Sequence, residues 1–330
     1  MKISIYGGGA WGSTLAQVLA QNGNEVLIFD KNVNYIESIN KGIHPVFNVN
    51  LDLKIKGTLD LAEGVNFSNI YLLVLPVLYL RGVLKDINKV LRKKVCFINA
   101  SKGIEVLTLK TPSIIVKEEI APSKLNGFVS LTGPSHAEEV IRRRVTLLTA
   151  ASINCSLAKQ VQDLFSNSYL RIYTSLDTIG AELAGVTKNA IAVSSGIVHG
   201  MGMGENARAA LITRGLIEII KVVETFGGKK ETVYGLAGLG DLIVTASSTL
   251  SRNFKAGVRI GQGVPLETIY SEEKETIEGI RTIQALAELS KKNNIELPII
   301  NSTYEIIFNN LSAPDALEKL LSRDLKEEDY

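Results

Sequence analysis

The sequence predicts an α/β protein, with a doubly wound parallel sheet over residues 1–176 and a mostly α-helical region over residues 177–330. Three observations carry this reading. Short β-prone apolar runs alternate with helical stretches up to Ser175, the pattern of strands joined by crossover helices. Three consecutive glycines, Gly7 to Gly9, separate the first run from the first helix. From Leu176 to Phe226 no strand-like run recurs, and small and apolar residues follow helical spacing instead.

Taken in order, Ile3, Ile5 and Tyr6 form the first β-prone run, and Trp11, Leu15, Val18 and Leu19 then recur at helical spacing up to Gly23. "EVLIF" (25–29), "YLLVLP" (71–76), "VCFIN" (95–99), "GFVSL" (127–131) and "TLLTA" (146–150) continue the strand series. Such nearly continuous apolar runs suit strands covered on both faces. Two long helices follow, "TIGAELAGVTKNAIAVSSGIVHGM" and "ENARAALITRGLIEIIKVVETF". Their Gly, Ala and Ser content permits close helix contact. Shorter helices are expected over 253–260, 279–291, 302–309 and 313–321, with a solvated tail at 323–330.

Composition bounds the partners. The 330 residues are 45% hydrophobic and 21% charged, enough to bury a large core in one or two domains. The 36 basic and 34 acidic side chains nearly cancel, leaving no bulk electrostatic footprint for nucleic acid or an anionic membrane. Cys96 and Cys155 lack any metal-ligand spacing, so neither a metal site nor a disulfide framework is expected. The apolar run Ile70 to Leu80 is too short for a bilayer and contains Pro76. With no leader-like segment before the first strand, a cytoplasmic location is expected.

The glycines have a physical explanation. Gly7, Gly9 and Gly12 form GxGxxG between a strand and a helix: one allows the tight turn, one admits a pyrophosphate, and one lets the helix pack on the strand. The helix N-terminus then favours phosphate. Asp30 closes the second strand, about 18 residues past Gly12, where this Rossmann-like fingerprint places an acid for the adenosine ribose. A carboxylate there accepts from a 2′-hydroxyl and repels a 2′-phosphate, which favours NAD. Lys31 favours NADP.

Four further clusters carry polar chemistry. Lys102, in "NASKGIE" after the fourth run, faces the ligand edge of a parallel sheet, although a strand-end lysine is ordinarily just solvated. "LTGPSHAEE" (131–139) is a strand, a Gly-Pro turn and a helix start bearing Ser135 and His136. In "AGVTKNAIAVSSG" (184–196), Lys188 and Asn189 sit in an apolar helix, where a lysine is either snorkelling to solvent or used as an acid or base. "GLAGLGDLIVTASSTLSRNFKAG" (235–257) presents Asp241, Thr245, Arg252 and Asn253, and the planar fork of Arg252 suits a phosphate.

Together "GGGAWGSTLA", "SKGIE", "TGPS", "VTKNAIAV", "ENARAALITRGL", "GLAGLGDL" and "SRN" resemble, in this order, the NAD(P)-dependent glycerol-3-phosphate dehydrogenases of the bacterial soluble type, from Met1 to Leu321. The resemblance implies reversible hydride transfer between dihydroxyacetone phosphate and sn-glycerol 3-phosphate, feeding phospholipid synthesis. By matching position, Lys188 is the implied proton donor and acceptor, Lys102 touches substrate and cofactor, and Asp241 orients the catalytic centre. Gly133 and Ser135 match the substrate-side turn, with Asn189 and Thr245 alongside, and Ser251, Arg252 and Asn253 match the phosphate clamp. Ala10, Trp11, Ala137, Arg252, Thr276 and Glu278 match cofactor positions. The resemblance also implies a homodimer, no metal, and NAD or NADP as cofactor.

Two departures stand out. His136 replaces the family's usual aromatic or other residue, so packing is its expected role, and Asp30 replaces a small residue before the basic position that Lys31 keeps. His44 and His199 have no recognisable partners in the sequence. Competing readings are a hydroxyacid or ketopantoate reductase, which would not need the "GLGDL" to "SRN" stretch, and a redox-sensing dinucleotide binder, which would not need a proton donor.

Overall fold

Runs of branched and aromatic residues with no polar face become strands buried on both sides of a sheet. The computed structural model describes every residue except 107, 273–276, 326, 329 and 330. Among the described residues eight strands form one sheet: β1 (Lys2–Tyr6), β2 (Glu25–Phe29), β3 (Ile55–Thr58), β4 (Ile70–Leu73), β5 (Val95–Asn99), β6 (Leu125–Thr132), β7 (Thr146–Ala151) and β8 (Leu170–Ser175). Their order is β3-β2-β1-β4-β5-β6-β7-β8. The winding direction reverses between β1 and β4, which places a ligand crevice outside the carboxyl ends of those strands.

Two strands add to the six expected. β3, "IKGT", is pinned by the Asn40 side chain, which accepts from Gly57 N at 2.8 Å and donates to Gly57 O at 3.0 Å. β8 alternates, with Leu170 and Ile172 buried and Arg171 and Tyr173 exposed, as an edge strand with one wet face does.

The sheet is not wholly parallel. β6 and β7 pair antiparallel, with Ser130 opposite Ala151 and Thr132 opposite Thr149. Only Ala137–Val140 is helical in the connection between them. Four residues give about 6 Å of helix against about 20 Å for a six-residue strand, so this helix does not carry the chain back along the sheet as the longer crossover helices do.

The chain forms two compact units, one of Met1–Lys102 and Lys110–Thr178, the other of Gly103–Leu109 and Ile179–Tyr330. In the first, Ile3, Ile5, Leu15 and Leu19 belong to the core on one sheet face, and Tyr6, Tyr71 and Phe97 belong to that on the other. These three rings meet edge to face across β1, β4 and β5, at 5.2 and 5.5 Å between centroids. The second unit packs helices Thr178–Gly200, Gly204–Thr225, Glu278–Asn293 and Pro298–Phe308 around Ile191, Ile219, Val223, Leu242 and Leu286. Among the described residues no helix is long and apolar enough to cross a membrane.

Candidate functional site

In the first unit the chain leaves β1 through glycines whose replacement is sterically barred. Gly7 has φ +113°, and a Cβ there would stand 2.2 Å from Val74 O; one on Gly12 would stand 1.9 Å from Gly7 O. Gly9 differs, because its Cβ would meet nothing nearer than a Tyr35 ring carbon at 3.9 Å. Gly7 and Gly12 therefore serve the turn and the packing, while Gly9 leaves open backbone. Gly9 is also the N-cap of helix Ala10–Gln21 and offers it no side-chain acceptor, so the first-turn N–H groups remain for an anion. Trp11 packs against the unit's core. These features fit the pyrophosphate of a dinucleotide.

Asp30 is committed to the same turn. Its Oδ2 accepts from Gly8 N at 2.6 Å and its Oδ1 from Asn32 N at 2.8 Å. Each oxygen keeps a second lone pair, so a ribose hydroxyl can still be received. Lys31 is exposed.

His44, silent in the sequence, lies under the turn at 1% exposure. Its Nδ1 accepts from Val46 N and Phe47 N, both at 3.2 Å, which leaves the proton on Nε2 for Ala10 O and Thr14 Oγ1, also at 3.2 Å. Burial pulls its pKa down to about 4. The ring is thus a neutral pin between the 44–47 loop and the first turn of the dinucleotide helix.

At the ends of β5 and β6, Lys102 Nζ and Ser135 Oγ each donate to Gly133 O at 3.2 Å, and Gly133 needs its φ of +139° to present that carbonyl. Ala137 opens the short helix Ala137–Val140, whose backbone is capped by His136 O.

The second unit holds the remaining candidates. Lys188 is 3% exposed and Asp241 1%, and Lys188 Nζ donates to Asp241 Oδ1 at 2.6 Å and Thr245 Oγ1 at 2.5 Å. Thr245 Oγ1 in turn donates to Asp241 O at 2.6 Å. A buried ammonium is tolerable only when paired in this way. Asp241 is delivered by a π-helical turn, Leu236–Gly240, in which Gly240 N reaches Gly235 O and a Cβ on Gly238 would stand 2.1 Å from Val233 O.

Ser251 caps helix Arg252–Gly261 through Phe254 N, and Arg252, its first residue, is exposed. Asn253 bridges two other helices, donating to Asn189 Oδ1 at 3.0 Å and accepting from Gly279 N at 2.9 Å. Glu278 opens helix Glu278–Asn293; burial raises its carboxyl pKa while Arg281 and Arg252 oppose the rise. Thr276 lies outside the described residues. The His199 ring packs on Phe254, 5.4 Å between centroids. Among the described residues no three potential metal ligands cluster.

Comparison with known proteins gives the family. Residues 2–158 match the NAD-dependent glycerol-3-phosphate dehydrogenase N-terminus and residues 177–318 the corresponding C-terminus. The chain is 57% identical over 329 residues to glycerol-3-phosphate dehydrogenase [NAD(P)+] of Acholeplasma laidlawii, covering 99% of each chain. It is 46% identical over 329 residues to the protein of that name from Phytoplasma mali, again covering 99% of each. The crystal structure of glycerol-3-phosphate dehydrogenase from Coxiella burnetii superposes with a TM-score of 0.92 at 31% identity, covering 98% of this chain and 99% of that one.

Proposed function

The chain belongs to the NAD-dependent glycerol-3-phosphate dehydrogenase family, and from that premise we propose that it works as a reductase of dihydroxyacetone phosphate, with Lys188 as proton donor. The observation that carries the reading is the buried Lys188–Asp241–Thr245 group. Bound NADH or NADPH supplies the hydride that C2 of the substrate accepts. Negative charge develops on the C2 oxygen, and Lys188 stabilises it and gives up a proton to form the hydroxyl. Asp241 and Thr245, through their hydrogen bonds, hold the Lys188 ammonium in position. In the oxidative direction neutral Lys188 takes the proton back. Arg252, with Ser251 and Asn253 beside it, binds the phosphate, and Lys102, Gly133 and Ser135 form the substrate-side turn of the first unit. The product, a glycerol phosphate, supplies phospholipid synthesis.

Cofactor choice follows from Asp30. Its carboxylate is anchored by two N–H groups at the position the fingerprint gives the ribose, which disfavours a 2′-phosphate and favours NAD. Steady-state oxidation of NADH and NADPH with dihydroxyacetone phosphate tests both parts. NADH is expected to show the higher kcat/KM, and Asp30→Ser to raise the NADPH value relative to it. No turnover with either cofactor would overturn the reaction, and a wild-type preference for NADPH the role of Asp30.

A further inference from the structure

The helix bearing Lys188 and the helix beginning at Arg252 touch backbone to backbone. Gly196 and Gly200 on the first face Gly257 and Gly261 on the second, four residues apart on each. A Cβ on Gly196 would stand 2.2 Å from Phe254 O, one on Gly200 2.2 Å from Val258 O, one on Gly257 2.1 Å from Val193 O, and one on Gly261 2.2 Å from Ile197 O. No side chain lies between the helices at these points, so nothing in the contact can flex to let one slide along the other. Side-chain ridges re-pack when pushed; main-chain atoms in contact do not.

A second observation ties this contact to the charged groups. Asn253 Nδ2 donates to Asn189 Oδ1 and Asn253 Oδ1 accepts from Gly279 N. Each linked residue immediately follows a charged candidate: Asn189 follows Lys188, Asn253 follows Arg252, and Gly279 follows Glu278. Gly279 is itself held tightly, since a Cβ there would stand 2.6 Å from Asn189 O and 2.8 Å from Asn253 Oδ1. The amide relay fixes the register at one end of the two helices, and the glycines fix it over the following turns.

We infer that this glycine clasp is a ruler: it sets the separation of Lys188 from Arg252 and so selects acceptors whose carbonyl and phosphate lie that far apart. The inference rests on the proposed function. The glycines touch no reactant and are positioning residues. Ordinary packing would need small residues at the crossing; it would not need the relay to join the neighbours of all three charged groups.

The test compares two acceptors, dihydroxyacetone phosphate and dihydroxyacetone, which offers the same carbonyl to Lys188 but nothing to Arg252. Gly257→Ala must push the helices apart. Because a misplacement of about 1 Å can cost about 10²-fold, kcat/KM for the phosphorylated acceptor is expected to fall by that order, chiefly through KM. The value for dihydroxyacetone should stay near wild type. Equal losses on both acceptors, or no loss on either, would overturn the ruler. Should Gly257→Ala fail to fold, Gly261→Ala, one turn further from Arg252, is read in the same way. Arg252→Ala is run alongside. If it leaves the ratio of the two acceptors unchanged, the phosphate assignment fails and the ruler with it; if it collapses the ratio and the glycine variants do not, only the ruler fails.

Discussion

At the scale of single residues, the proposal gives Lys188 two separable duties: as the proposed proton donor it would contribute to turnover, and it supplies the ammonium that pairs the buried Asp241 carboxylate. Lys188→Ala should therefore lower kcat by about 10²–10⁴ and also cost about 3–5 kcal/mol of stability, because the buried Asp241 loses the cation that compensates it. Replacing both partners with apolar residues of similar size, Lys188→Met with Asp241→Leu, should recover most of that stability and none of the turnover. Urea unfolding and steady-state rates on the same samples separate the two duties. A Lys188→Ala enzyme with near wild-type kcat would remove the lysine from the chemistry. The sequence made Lys188 conspicuous because a cation inside a run of small apolar residues is costly. It could not show that Asn253 is occupied, since its partners lie 64 and 26 residues away and no local spacing announces them. His44 was hidden for the same reason: its meaning lies in Ala10 O, 34 residues earlier.

At the scale of elements, the strand, glycine turn and helix at the N-terminus were legible in full because all three follow one another without a break from Lys2 to Gln21. Gly12 is the point where they meet, and Gly12→Ala drives a methyl into Gly7 O. Relief requires helix Ala10–Gln21 to lift from β1, so the variant should lose about 1–3 kcal/mol of stability together with most of its affinity for NADH, measured by thermal melting and fluorescence titration. A Gly12→Ala protein that binds NADH as tightly as wild type would mean that the pyrophosphate does not sit on this turn. Elements whose existence depends on distant partners were harder to read. β3 is four residues containing a lysine and a glycine, held by Asn40 and the neighbouring strand rather than by propensity. β8 offers only alternate apolar positions. The antiparallel β7 looks in sequence like any other apolar run, and its direction shows only in its pairing with β6. Gly103–Leu109 belongs to the second unit through Ile104, Val106 and Leu109 packing on Val186 and Ala285, a contact with no trace in composition.

At the scale of the whole molecule, the two units carry buried titrating groups of opposite sense. In the first, His44 has a pKa of about 4 against an ordinary 6.5. The unfolded chain therefore takes up this proton first, and the stability present above pH 6.5 is lost as the pH falls toward 4. In the second, Glu218 lies 3% exposed beneath the start of helix Pro298–Phe308 and accepts from Ile299 N at 2.6 Å and Ile300 N at 3.1 Å. Burial lifts its pKa from 4.5 to about 7 against the pull of those N–H groups. The folded state keeps this proton longer, so the associated stability is complete below pH 4.5 and is lost as the pH rises through 7. Glu278, also raised by burial, adds to the second unit in the same sense. Taking the pH from 7 to 5 should thus weaken the first unit and strengthen the second, by about 2 kcal/mol each. Amide hydrogen exchange, corrected for intrinsic rates, reads them separately: protection should fall in β1 and β4 and rise in helix Gly204–Thr225. His44→Gln should flatten the first response alone, and Glu218→Gln should reduce the second alone. Protection that moves in one direction throughout the chain would show that neither group governs its unit, whereas opposite movements abolished one at a time would assign the acid response of each unit to a single side chain.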